Sequence, residues 1–299
     1  MDPRIRSYVM PAAMVVGAIF HSFFGRFAFL SPYLIATMLF ITFTRVKARE
    51  LKLSRIHVGL LAFQILACVV VYLLLRPVNE VLAQGMMICA FAPAAMASVV
   101  IGGMLGANVT TMTTYTLISN MAVAFTAPVL FSVVGTNVGL PFFYSFWLVF
   151  RRLLLLVVLP FCLSFFCEKF VPKVHDYFHD NQQFAFYIWA VSLLILIGTT
   201  TNFILAQPRE SYLIEAVLAA SSLVLCLCQF GFGRWWGRRC GDRIAGGQSL
   251  GQKNTLLAIL LAQTYLNPLS SVAPAAYVVW QNIVNSIQLA RHKGQKEIN

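Results

Sequence analysis

Nearly the whole of this 299-residue chain is made of apolar runs long enough, or almost long enough, to cross a lipid bilayer. Ten can be marked, over about 8–24, 28–44, 57–75, 80–103, 108–134, 144–166, 184–206, 212–236, 242–266 and 270–289. A helix crossing the hydrocarbon needs about 20 predominantly apolar residues, each rising about 1.5 Å. Charged residues make up 11% of the chain, against roughly 25% in soluble proteins, and no soluble domain of useful size fits between the runs. The expected class is an all-α polytopic membrane protein, a single membrane domain of ten transmembrane helices. Arg4 and Arg6 precede the first run as in a signal peptide, but Pro11 and the lack of a small-residue cleavage site predict a retained first helix.

Loop charge orients the spans. With the N-terminus inside, the inner segments hold Arg4 and Arg6 and the Lys and Arg residues of 45–55, 169–173, 234–243 and 291–296, sixteen in all. The outer segments hold only Arg26, Arg76 and Arg209, and Arg151, Arg152 and Lys253 complete the 22. This bias predicts both termini on the cytoplasmic side of a cell membrane. It also accounts for the +12 formal charge without nucleic acid as a partner. The seven cysteines mostly lie in apolar runs without ligand spacing, which predicts packing roles and neither a disulfide framework, a metal site nor a cofactor.

Two spans are irregular. The ninth contains Gly246-Gly247-Gln248-Ser249-Leu250-Gly251-Gln252-Lys253-Asn254-Thr255, and Lys253 is the basic residue most clearly inside the hydrophobic architecture. An ionisable group at membrane depth is costly and points to function. The fourth contains Phe91-Ala92-Pro93-Ala94-Ala95-Met96-Ala97-Ser98, where proline removes a backbone donor and disfavours helix at the residue before it. A helix restarting there would offer free N–H groups to an anion; a simple proline kink is the alternative. Five spans followed by five more give the second half the opposite orientation. Residues 1–135 and 136–299 are thus expected to be inverted five-helix repeats, an arrangement that places transporter sites near the midplane.

Other polar residues keep two readings. The hydroxyls of 110–119 in the fifth span suit a cation or solute, or bonding to i−4 carbonyls. Gln281 with Asn285, and Asn282 with Ser286, suit ligand contact or bonding between helices. His175 and His179 have the spacing of a metal face but lack a third ligand, so a solvated inner loop is expected. Arg151 and Arg152 follow an aromatic stretch and read as snorkelling side chains or an anion funnel.

Taken together, Gly251-x-Lys253-Asn254-Thr255, Pro93-Ala94-Ala95-Met96-Ala97-Ser98 and Val279-Trp280-Gln281-Asn282 resemble the bile acid:sodium symporter family, whose corresponding segments read Glu-x-Gly-x-Gln-Asn, Pro-Gly-Gly-Thr-Ala-Ser-Asn and Val-Trp-His-Asn. The resemblance covers most of the chain. It implies helices 4 and 9 broken and crossing, core and panel domains, and sodium-driven uptake of an organic anion. It also implies substrate contacts at Lys253, Asn254, Gln281, Asn282, Pro11 and Ser98. The cation site survives only as remnants. Ser98 and Thr116 are kept and Gln64 aligns with another ligand, but Ser249 stands for a sodium-binding Glu and Lys253 for a Gln. Val99 and Met112 replace an Asn and a Ser. Ammonium, thioether and isopropyl groups supply no oxygen to a cation.

One carboxylate is lost and one lysine gained, which leaves the net +1 of a site holding two sodium ions. The function expected is therefore secondary transport of a small organic anion by alternating access without sodium, Lys253 replacing the bound cation. An uncoupled facilitator or channel, and a transport-inactive receptor on the same fold, are the alternatives. No triad, zinc motif or phosphate loop points to an enzyme.

Overall fold

The computed structural model describes residues 12–44, 52–134, 142–181, 183–206 and 212–298. Among these residues every regular element is helical, and one isolated antiparallel bridge joins Ala94 to Lys253. The order is α1 (12–19), α2 (His21–Phe24), a 3-10 turn, α3 (Ser31–Phe43), α4 (Arg55–Leu75), α5 (Glu80–Phe91), α6 (Met96–Met104) and α7 (Val109–Val134). There follow α8 (Phe142–Leu153), a π-helical turn, α9 (Leu159–Phe170), α10 (Pro172–Asp180), α11 (Gln183–Ala206) and α12 (Tyr212–Arg239). The chain ends in α13 (Arg243–Gly251), α14 (Thr255–Tyr265), a 3-10 turn and α15 (Val272–Ile298).

Among the described residues six continuous helical stretches are long and apolar enough to cross a membrane: His21–Phe43, Arg55–Leu75, Val109–Val134, Phe146–Phe170, Gln183–Ala206 and Tyr212–Arg239. The protein is a multi-pass membrane protein. The fourth and ninth apolar runs fall short of that length for a physical reason, since each is interrupted. The helix stops at Phe91 and restarts at Met96, and stops at Gly251 and restarts at Thr255. Residues 172–180, read from sequence as a solvated loop, form the short helix α10, with proline at its first position and an amphipathic pattern.

The chain packs as two compact units, each drawing segments from both sides of residue 135. In the first (residues 1–47, 124–212 and 259–271), α11 packs along α1 to α3. A Cβ at Gly17 would lie 2.8 Å from the Leu194 carbonyl oxygen, so only glycine permits that approach. Asn202 fastens the contact by donating to the His21 carbonyl at 3.1 Å.

The second unit (residues 48–123, 213–258 and 272–299) holds both breaks. The glycines of 246–251 do not themselves make the break; they let α13 lie against α12. A Cβ at Gly246 would collide with the Gly233 carbonyl, and one at Gly251 with the Phe230 ring. Backbone-to-backbone contact of this kind needs small residues on both helices, which Gly233 and Gly237 supply.

Candidate functional site

A helix that stops inside a membrane leaves its last carbonyls without intrahelical partners, and lipid cannot satisfy them. In the second unit the two breaks solve this by pairing. Ala95 N–H donates to the Gln252 carbonyl at 3.0 Å and Asn254 N–H to the Pro93 carbonyl at 2.7 Å, one rung of antiparallel ladder where two interrupted helices meet.

Side chains complete the satisfaction around the first break. Gln229 Nε2 donates to Cys89 O at 3.3 Å, Lys253 Nζ to Ala90 O at 3.2 Å, and Gln64 Nε2 to Phe91 O at 2.7 Å and Ala92 O at 3.3 Å. Asn120 Nδ2 donates to Ala94 O at 3.3 Å. With Ile88 O taken by Ala92 N–H and Ala95 O by Ser98 N–H, every carbonyl from Ile88 to Ala95 accepts a hydrogen bond from the protein.

Gln64 is itself fixed. Its Oε1 accepts from Tyr115 Oη at 2.7 Å and Ser119 Oγ at 2.9 Å, and Ser119 Oγ also accepts Ala94 N–H at 3.2 Å. The hydroxyl-rich face of α7 thus braces the α5–α6 break from one side.

The second break is held from α15. Gln281 Oε1 accepts Lys253 N–H at 2.9 Å while its Nε2 donates to Lys253 O at 3.4 Å, so one amide grips both polar groups of one residue. One turn earlier, Tyr277 Oη donates to Gly251 O at 2.9 Å. Asn254 Oδ1 accepts Leu257 N–H at 3.3 Å and so caps the restarted helix α14.

The residues singled out from sequence separate accordingly. Lys253, Asn254, Gln281 and Gln64 converge on the paired breaks, all buried. Ser98 and Thr116 are also buried in this unit, and their hydroxyl oxygens have no hydrogen-bond partner. Ser249 is buried in α13. Asn282 donates within its own helix, to Val278 O at 2.7 Å. Pro11 lies outside the described residues. Arg151 is exposed on α8, and His175 and His179 bond the adjacent Asp176 and Asp180. Among the described residues no group of three or more His, Cys, Asp or Glu is placed to hold a metal.

Sequence reading missed Gln229 and Tyr277. Tyr277 carried a usable signal, because i and i+4 share a helix face and Gln281 is four residues on. Gln229 is a lone amide in an apolar span, and nothing nearby distinguishes it from an amide that bonds its own helix.

Lys253 is 1% exposed. Its ammonium has three N–H donors, and Ala90 O is their one hydrogen-bond acceptor among the described residues. The acceptor sits at the C-terminus of α5, where the helix dipole concentrates roughly half a negative charge and favours a cation. At the other side of the same break, α6 begins at Met96 after Ala95, which gives it no side-chain cap, leaving an end of positive potential that favours an anion.

An all-helical, multi-pass membrane protein with two interrupted helices paired back to back is the class this architecture defines. The family model of the Sodium Bile acid symporter family matches residues 27–215, and the chain belongs to that family; it is a membrane transporter of the bile acid/sodium symporter type. The match takes in the first break and stops before the second, with Lys253. No curated protein was found to match the chain.

Proposed function

We propose that this protein is a secondary transporter that moves a small organic anion by alternating access, without sodium, with Lys253 as a fixed cation in place of a bound one. In this reading the chain forms ten transmembrane helices as two inverted repeats, residues 1–135 and 136–299. Both termini lie on the cytoplasmic side of the cell membrane.

The observation that carries the reading is the Lys253–Ala90 hydrogen bond at a break whose carbonyls are all taken by protein donors. A sodium ion needs several oxygens at once. Here Val99, Met112 and Lys253 offer none, Gln64 Oε1 already accepts two hydrogen bonds, and the carbonyls from Ile88 to Ala95 are engaged. Ser98 Oγ, Thr116 Oγ1, Asn120 Oδ1, Gln229 Oε1 and Gln252 Oε1 are buried without a hydrogen-bond partner, and none of these oxygens carries a charge. In this reading the loss of the carboxylate at Ser249 and the gain of the ammonium at Lys253 count against sodium as a co-substrate, and the ammonium supplies the positive charge.

A fixed ammonium in a low-dielectric surrounding attracts an anion more strongly than one in water. The uncapped start of α6 adds to the same field. Asn254, Gln281 and Asn282 position the breaks and the helix beside them, and the substrate meets a scaffold whose charge is built in.

Uptake into proteoliposomes tests this with a panel of organic carboxylates and sulfates, under sodium, proton and null gradients. Uptake that is undiminished when choline replaces sodium, and that a second gradient drives above equilibrium, is expected. Equilibration without accumulation under any gradient indicates a facilitator, and binding without uptake a receptor; either outcome contradicts secondary transport.

A further inference from the structure

At one end of the second unit lies an open cleft of about 750 Å³ that neither helix break lines. Its wall includes Arg234 of α12, Arg243 at the start of α13 and Arg291 near the end of α15, with Asn108, Asp242 and Gln288. Arg243 and Arg291 lie close enough to Arg234 for their charges to repel it. Among the described residues none of the three is paired with a carboxylate. Asp242, the acidic residue on the wall, is committed to backbone: Oδ2 accepts Asn108 N–H and Oδ1 accepts Ala245 N–H, each at 2.8 Å.

A second observation, beside the cleft, is a cluster of amides with missing partners. Gln248 Nε2 donates to Asn285 Oδ1 and to Gln288 Oε1, each at 3.1 Å. This leaves Gln288 Nε2 and Asn285 Nδ2 as buried donors without a partner, and Gln248 Oε1 as a buried acceptor without one. Gln248 and Asn285 are 1% and 3% exposed, and Gln288, bonded to Gln248, reaches the cleft wall. Buried polar atoms without partners are rare and call for a water, an ion or a ligand.

Loop arginines that only orient a helix have no need to converge. Arg238 and Arg239 show the contrast, since they do not line this cleft and Arg239 stacks on Trp235 at 4.0 Å. Three arginines facing one space, with amide donors behind them, match a group bearing several anionic oxygens in a tetrahedron, because guanidinium binds phosphate through paired N–H bonds.

We propose that this cleft binds a phosphate group, carried either by a phospholipid headgroup or by a soluble phosphate, at a site separate from the paired breaks. Occupancy would neutralise the arginines and tie together the ends of α12, α13 and α15, two of which carry or grip the second break.

Two probes test it on the full-length protein in nanodiscs. One is phosphatidic acid mixed into phosphatidylcholine, with bound lipid counted by native mass spectrometry. The other is inorganic phosphate titrated at constant ionic strength in phosphatidylcholine alone, followed by thermal melting. At least one probe is expected to bind saturably. Its affinity is expected to fall fivefold or more in Arg243→Gln/Arg291→Gln and to be kept in Arg238→Gln/Arg239→Gln, which removes the same charge outside the cleft. Should the first double variant not fold, Arg291→Gln alone, an exposed side chain, is expected to weaken binding at least twofold. Phosphate binding in neutral lipid identifies a soluble ligand; binding of phosphatidic acid alone identifies the headgroup. The proposal is overturned if neither probe binds the wild type, or if variants inside and outside the cleft weaken binding equally, as diffuse surface charge would.

Discussion

Lys253 Nζ and Ala90 O, 163 residues apart in the chain, meet at 3.2 Å across two interrupted helices. A buried ammonium without a partner would cost several kcal/mol, and the C-terminal carbonyl end of α5 is a matched acceptor for it. The pair couples the two breaks, and it puts an amine side chain at the end of α5.

Lys253→Gln should weaken binding of whichever anion the liposomes accumulate by at least tenfold, about 1.4 kcal/mol. Lys253→Arg should recover part of it, since the planar guanidinium keeps the charge but not the compact geometry. Equilibrium binding to the purified variants checks both. A variant that melts earlier yet binds the anion as tightly as wild type would make the lysine purely structural.

Gln281→Leu removes both hydrogen bonds to the Lys253 backbone and leaves its buried N–H without a partner, while the Lys253 carbonyl keeps Thr255 N–H at 2.9 Å. Each unmet buried group costs about 1–3 kcal/mol. Melting in detergent should show a clear loss, and Asn282→Leu, which removes only a bond within its own helix, should show much less.

Gly246→Val forces a branched side chain against the Gly233 carbonyl at the α12–α13 contact. Overpacking of this sort costs typically 1–3 kcal/mol. The same change at Gly231, whose Cβ position is open, should be close to neutral apart from helix propensity. Comparing the two melting temperatures separates a packing role for the glycines from a ligand-facing one.

The positive-inside bias carries a topology. Reporters fused after Asp176 and Gly241 should read as cytoplasmic, and one after Gly135 as external. An external signal at either of the first two would contradict the ten-span arrangement.

The class of the fold was legible because its signal is additive: apolar runs of membrane length and basic loops need no partner to be read. Both breaks were legible as well, the first from Pro93 and the second from a lysine that could not sit in lipid. What stayed hidden was where each side chain spends its hydrogen bonds. Gln281 looked equally suited to a ligand or a neighbouring helix, and only folding brings it to the Lys253 backbone. The three glycines of 246–251 marked the ninth span as irregular. Their actual work, a close approach to α12 at Gly233, Gly237, Arg234 and Phe230, depends on a helix that starts more than thirty residues earlier.

The central claim, that a lysine has taken the place of a bound cation, is tested most directly without any substrate. A ligand that binds only the folded state raises stability by RT ln(1 + [L]/Kd), so a surviving sodium site would show itself in melting. The purified protein should melt at the same temperature in sodium, potassium and choline chloride at matched ionic strength, across the full concentration range. A saturable rise specific to sodium would contradict the account and place a cation at the paired breaks beside Lys253.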